Sequence, residues 1–120
     1  MTVTELPDKI YQILSDKTNL TIGDIPSLTE EGVGIILLAG LEDDRYFGKR
    51  SLAKPMVQIP IRSKTYQSGM KRAEQIKGDL DGYTDDDILQ CLISGSPTYL
   101  GRNQQKLHEL TITFKIQLKE

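Results

Sequence analysis

Three consecutive aspartates, Asp85, Asp86 and Asp87 in "TDDDI", are the densest set of hard oxygen donors in the chain and the natural place to look for a divalent cation. A calcium loop spaces its ligands at alternate positions around a glycine that makes the sharp turn, and this triplet has neither the spacing nor the glycine. Thr84 or one of the aspartates capping a turn accounts for the same residues without a metal. Cys91 is the only cysteine and His108 the only histidine, so a zinc site made of protein ligands alone is excluded. Cys91, between Gln90 and Leu92 in an apolar stretch, reads as a small buried hydrophobe. His108 beside Glu109 has the chemistry of a general base, but no serine or cysteine in the sequence is identifiable as its partner, and a surface histidine at a strand end is the plainer reading. The glycines of "GVGII" come before an apolar run rather than opening a helix, which is the wrong place for a phosphate-cradling turn. The expectation is a protein that is not an enzyme and needs no cofactor or metal.

The charge distribution carries more information than these candidates. Residues 1–44 hold nine acids against two bases, residues 45–77 nine bases against the single acid Glu74, and residues 78–120 seven acids against four bases, all within a net charge of -2. Segregation of this kind suits nucleic acid, an acidic partner or the acidic face of a neighbouring copy, and it is also compatible with a solvated surface balanced within one subunit. Single-strand readers interleave cations with stacking aromatics on a sheet face; here Tyr46, Phe47 and Tyr66 are scattered, which leaves non-specific attraction to phosphate or to an acidic protein surface.

The elements that must position these charges follow from hydrophobic period. Leu6, Ile10, Ile13 and Leu14 recur at helical spacing, so residues from about 4 to 16 form an amphipathic helix with Pro7 in its first turn. "KTNLTIGDIPSLTEEG" has turn formers and no helical period and reads as irregular, with at most a short extended piece around Leu20 to Ile25. "GVGIILLAG", residues 32–40, is a strand buried on both faces and central in its sheet. The polar connection 41–54 that follows is long for a hairpin and is expected to be mobile until it meets a partner. "PMVQIPIRSK" alternates at period two, with Pro60 restricting it to an edge or to a position that points away from its neighbour. Tyr66, Met70, Ala73, Ile76 and Leu80 lie on one helical face, with Gly82 as the residue after the cap and Gly78 weakening the last turn. "ILQCLIS" and "HELTITFKIQL" are two further strands joined through "GSPTYLGRNQQK". The fold class expected is α+β, in one domain spanning 1–120, with an N-terminal helix and one further helix packed on a mixed or antiparallel sheet of about four strands in the order α-β-β-α-β-β. No apolar run approaches the length of a membrane span, and "MTVTELPDKI" lacks the regions of a signal peptide, so a chain that stays in, or assembles from, the cytosol is expected.

The proline-led strand ending in arginine "PMVQIPIR", the following "SKTY" and the helix "MKRAEQIKGDLDG", together with "SPTYLGRNQQKLHELTITFKI", resemble the minor capsid and tail-terminator (head-tail joining) proteins of long-tailed phages and their prophages. The opening helix and the glycine-bounded strand are similar too, so the resemblance covers roughly the whole chain. It implies a virion structural protein that assembles into a ring, usually hexameric, at the head-proximal end of the tail. There it stops tube growth, joins the tail to the head connector and lets DNA pass through its lumen. The partners implied are further copies of the chain, the major tail tube protein and the connector proteins, with transient non-specific contact with DNA and no membrane; the location implied is the head-tail junction of the virion, with the host cytoplasm before assembly.

A head-to-tail ring joins two different patches of one subunit, and opposite charge on the two patches makes them complementary. The interface expected on this basis places Arg45, Lys49, Arg50, Lys54, Arg62 and Lys64 against Glu42 and Asp43. A strongly positive lumen would retain the DNA that must pass, which favours the neighbour or the tube as the target of these bases. The alternative is a monomeric regulatory or non-specific nucleic-acid-binding module in which the basic segment grips phosphates.

Overall fold

The computed structural model describes residues 3–38 and 55–119. A 3-10 turn at Val3–Glu5 leads into α1, Leu6–Ile13, with Pro7 in the first turn and Leu6 and Ile10 buried. The helix is shorter than its apolar period suggests because Leu14, although buried, has already turned to extended backbone. The Lys17 ammonium closes the end by donating to the carbonyls of Tyr11 at 2.8 Å and Leu14 at 2.7 Å, the interaction a cation makes at a helix C-terminus.

The irregular stretch contains β1, Leu20–Ile22, which pairs in parallel with β2, Gly32–Leu38. Gly23, at φ 101°, extends the contact by exchanging both backbone hydrogen bonds with Ile35. A side chain at Gly34 would lie 2.5 Å from the Gly23 carbonyl oxygen, so only glycine permits this approach. β2 is buried from Gly32 to Ile35 and half-buried from Ile36 to Leu38, so the expectation of burial on both faces holds for its first half alone.

β3, Met56–Ser63, is central and antiparallel to both β2 and β6, His108–Leu118. Its ladder with β2 registers Val33 with Ile61 and Ile36 with Gln58, on either side of Pro60, and this is how an interior strand accommodates a residue without an N–H. β4, Ile88–Ile93, pairs with the C-terminal half of β6, and β5, Thr98–Arg102, with its N-terminal half. The sheet order is β1-β2-β3-β6-β4, with β5 also on β6, and the chain order is α-β-β-β-α-β-β-β. Six strands replace the four expected. β1 is three residues long, too short to show a period, and β5 has no buried residue, so its sequence has no reason to alternate.

α2, Tyr66–Leu80, is capped by the Thr65 hydroxyl, which accepts from Ser68 N at 3.1 Å, and ends at Asp81 before Gly82 at φ 80°. The helix runs through Gly78 to Leu80. Both helices cover one sheet face, where Val57, Ile59 and Ile61 of β3 meet Leu110, Ile112, Phe114 and Ile116 of β6 and Ala73, Ile76 and Leu80 of α2. Gly69 lets α2 sit close to the sheet, since a side chain there would lie 2.7 Å from Leu110 Cδ1. Tyr66 is not on the buried face as its spacing suggested: it is 49% exposed, with its ring edge-on to that of Tyr99 at 5.0 Å.

Candidate functional site

The irregular segment between α1 and β2 has backbone carbonyls that no regular element satisfies, and two arginines supply the donors. Arg62, at the end of β3, donates through Nη1 to the carbonyls of Pro26 at 3.0 Å and Thr29 at 3.1 Å, and its Nη2 lies 4.0 Å from Glu109. Arg72, on α2, donates through Nη2 to the carbonyls of Asp16 at 3.1 Å and Thr18 at 2.9 Å, while Nη1 faces the Asp16 carboxylate at 3.4 Å. One arginine therefore ties down each flank of β1. Asp16 is held below the usual carboxylate range, first by the Thr18 backbone N–H that donates to it at 2.9 Å and further by the charge of Arg72.

Between these anchors lies a cavity of about 260 Å³, lined by the two arginines with Asp16, Glu31, Ser63, Ser68, Lys71 and Gln75. Ser68, Lys71, Arg72 and Gln75 fall at i, i+3, i+4 and i+7 of α2, a polar stripe beside the apolar one. Ser63 is 4% exposed, and its hydroxyl is in contact with that of Ser68. Each arginine contributes through Nη to the anchors just described, but the Nε of Arg62 and the Nε of Arg72 are buried without a partner. Lys71 is exposed and makes no ion pair with a described residue.

Of the expected interface residues, Arg62 lines this cavity, and Lys64 pairs with Glu30 at 3.2 Å on the surface. Arg45, Lys49, Arg50, Lys54, Glu42 and Asp43, with the 41–54 connection expected to be mobile, lie outside the described residues. The acidic N-terminal part and the basic segment meet within the subunit at Asp16–Arg72 and Glu30–Lys64. Reading charge along the chain missed Arg72, Lys71 and Gln75 as a site, although their helical spacing with Ser68 was available to it.

The remaining chemical candidates have structural roles. Asp85 Oδ1 accepts from the backbone N–H of Asp87 and Ile88, both at 2.8 Å, and its Oδ2 accepts from the Tyr83 hydroxyl at 2.9 Å and pairs with Lys9 at 2.6 Å. Burial alone would raise the Asp85 pKa, but the hydrogen bonds from Lys9, the two N–H groups and Tyr83 outweigh it and hold the carboxyl well below the usual range. Among the described residues no group of three His, Cys, Asp or Glu is placed to hold a metal. Cys91 is fully buried, and that burial pushes its thiol up to about 12, where it is inert at neutral pH. His108 Nδ1 is 2.8 Å from the Tyr99 hydroxyl, in an exposed group with Tyr66, whose ring packs edge-on to Tyr99 at 5.0 Å. No described helix is long and apolar enough to cross a membrane.

No curated protein matches the chain in sequence. A solved structure described as a virion of a native gene transfer agent particle contains a chain that is similar at a TM-score of 0.67 and 12% identity, covering 96% of this chain and 95% of that one; at that identity the likeness is one of fold. The sequence model for the bacteriophage tail terminator protein matches residues 8–120, from α1 to the last residue, and the chain belongs to that family of phage tail structural proteins.

Proposed function

We propose that the protein forms a ring that closes the head-proximal end of the phage tail, stops growth of the tail tube and joins the tail to the head connector. The observation that carries this reading is the family match from residue 8 to residue 120, which includes every element that builds the sheet and the cavity. The shape is consistent with a ring subunit: the chain is elongated, with principal extents of 48 × 25 × 23 Å, and its two helices occupy one sheet face. Polar groups on the described surface are engaged in anchoring loops rather than arranged around a reacting atom, which suits a structural part. The partners on this reading are further copies of the chain, the tube protein and the connector, with DNA passing through the lumen. The basic residues serve contact between subunits or with the tube rather than a grip on DNA.

The test is to add the purified chain to elongating tail tubes and to image the products. Tubes should stop growing and carry a ring at one end, and tails made without the chain should be over-long and fail to join heads. Tubes that elongate equally with and without it sink the proposal.

A further inference from the structure

We propose that Leu28, on the turn between β1 and β2, docks on the exposed group of Tyr66, Tyr99 and Leu100 of a second copy of this chain, joining subunits head to tail; this rests on the ring reading above. Leu28 is 95% exposed, against 61% or less for every other exposed large hydrophobic among the described residues. An exposed leucine on a loose loop is ordinary, but this one is held in place. The Thr29 N–H donates to the Pro26 carbonyl at 3.0 Å and closes a turn with Leu28 at its third position, while Arg62 Nη1 donates to the carbonyls of both Pro26 and Thr29. The arginine side chain is only 13% exposed, so a largely buried group fixes the backbone on each side of an exposed apolar one. A side chain presented on a fixed turn loses little freedom on docking.

The receiving surface is also preformed. The rings of Tyr66 and Tyr99 pack edge-on at 5.0 Å, the Tyr99 hydroxyl is 2.8 Å from His108 Nδ1, and Leu100 beside Tyr99 on β5 is 61% exposed. A side chain at Gly32 would meet Thr29 and Ile25, and one at Gly34 would meet Pro60, so the segment that carries Leu28 lies over the sheet face away from the helices. Tyr99 registers with the core residue Leu110, on the helix-covered face, and β3 and β6 lie between β2 and β5. The knob and the aromatic group are thus two different patches that meet only between copies, as in the heterologous contact that closes a ring.

Charge selects this pairing among the exposed apolar residues. Residues 18–31 contain three acids, Asp24, Glu30 and Glu31, and no base, whereas residues 94–108 contain two bases, Arg102 and Lys106, and no acid. Lys64 takes up Glu30, and Glu109, across from Gly101, lies 4.0 Å from Arg62 of its own subunit. That leaves Asp24 and Glu31 on one side and Arg102 and Lys106 on the other, all exposed and none in an ion pair with a described residue. Leu89, the alternative on β4, closely follows Asp85, Asp86 and Asp87, which would repel the acids beside Leu28. Leu92 registers with Lys115 on the opposite sheet face from Tyr99 and has no aromatic neighbour among the described ring contacts.

Two experiments test the contact. In the first, Leu28→Ser and Leu100→Asp should each lower ring formation and capping of tail tubes by about tenfold or more, with the melting temperature unchanged because both positions are exposed. In the second, a Leu28→Cys chain is mixed with a Leu100→Cys chain and tail tubes and treated with a short bismaleimide; Cys91 is buried and does not compete. A cross-linked pair should form, and replacing the Leu100→Cys chain by a Leu92→Cys chain should give none. If the wild-type chain neither forms rings nor caps tubes, the ring reading fails and the contact with it. If it assembles and both single variants assemble equally well, the contact is overturned and the ring reading stands. Loss of capping in Leu28→Ser without cross-linking between copies overturns the contact as well and assigns Leu28 to the tube protein.

Discussion

Toward opposite ends of α2 the protein carries two polar clusters that treat their charges differently. Beyond the C-terminal end, Asp85 has four donors on its two oxygens: the N–H groups of Asp87 and Ile88, the Tyr83 hydroxyl and the Lys9 ammonium. Along the N-terminal half, Arg62 and Arg72 spend their Nη groups on four carbonyls of the β1 flanks but leave both Nε–H groups buried and unpaired, with Lys71 unused beside them. A cluster whose bonds close on themselves fixes one chain segment against another and has nothing left to offer. One that leaves buried donors unpaired forgoes part of the stabilisation its bonds contribute. The same residue types thus anchor chain segments at both ends, with the acceptor saturated at one and two buried donors left over at the other.

The comparison breaks most visibly at Asp85. Asp85→Ala removes the shared acceptor of the closed cluster and should cost about 2–3 kcal/mol in chemical denaturation, since several of the lost hydrogen bonds are to a charged group. A stability change near zero would mean that the closed cluster is ornamental and the contrast false. The same site sets an acid response. Its folded pKa lies below the ordinary value of 3.8, so its contribution is complete above about pH 4 and is lost as pH falls toward the folded value. Denaturation midpoints measured from pH 6 down to pH 2 should fall less steeply for Asp85→Asn than for the wild type.

Arg72→Met tests the part of the open cluster that does anchor structure. Loss of two carbonyl hydrogen bonds should cost about 1–2 kcal/mol and raise amide exchange across Asp16 to Ile22, while exchange in β6 changes little. Uniform acceleration across the sheet would show that the arginine supports the core rather than one flank of β1. The smallest effect is expected at Lys71, which makes no ion pair to a described residue: Lys71→Gln should change stability by no more than about 0.5 kcal/mol. A larger loss would place Lys71 in the closed category, and the division between the two clusters would need redrawing.

Local pattern determined a large part of the molecule. The alternation from Leu110 to Leu118, the period-two run from Val57 to Ile61 and the helical spacing of Ala73, Ile76 and Leu80 all survive in the fold, because each element buries one face and that face must be apolar at the matching period. The resemblance in "PMVQIPIR" and "SPTYLGRNQQK" indicated the tail terminator family on residues that the family match also covers. Elements too short or too exposed to show a period were legible only in outline. β1 is held by parallel pairing with β2 and by two arginines, and β5 by its hairpin with β6, where Asn103 accepts from Gln105 and Leu107 N–H to form the turn. Tyr66 matched a period and still emerged 49% exposed, edge-on to Tyr99. The site was legible only in fragments: Arg62 was singled out and Lys71 and Arg72 were counted among the bases, but their acceptors and neighbours sit elsewhere in the chain. Thr29 and Pro26 lie 33 and 36 residues before Arg62, and Asp16 lies 56 before Arg72. The sequence by itself set which residues alternate and which charges are present. Tertiary structure alone decided which charges neutralise one another and which donors are left over, because pairing depends on distances in space that a linear spacing does not encode.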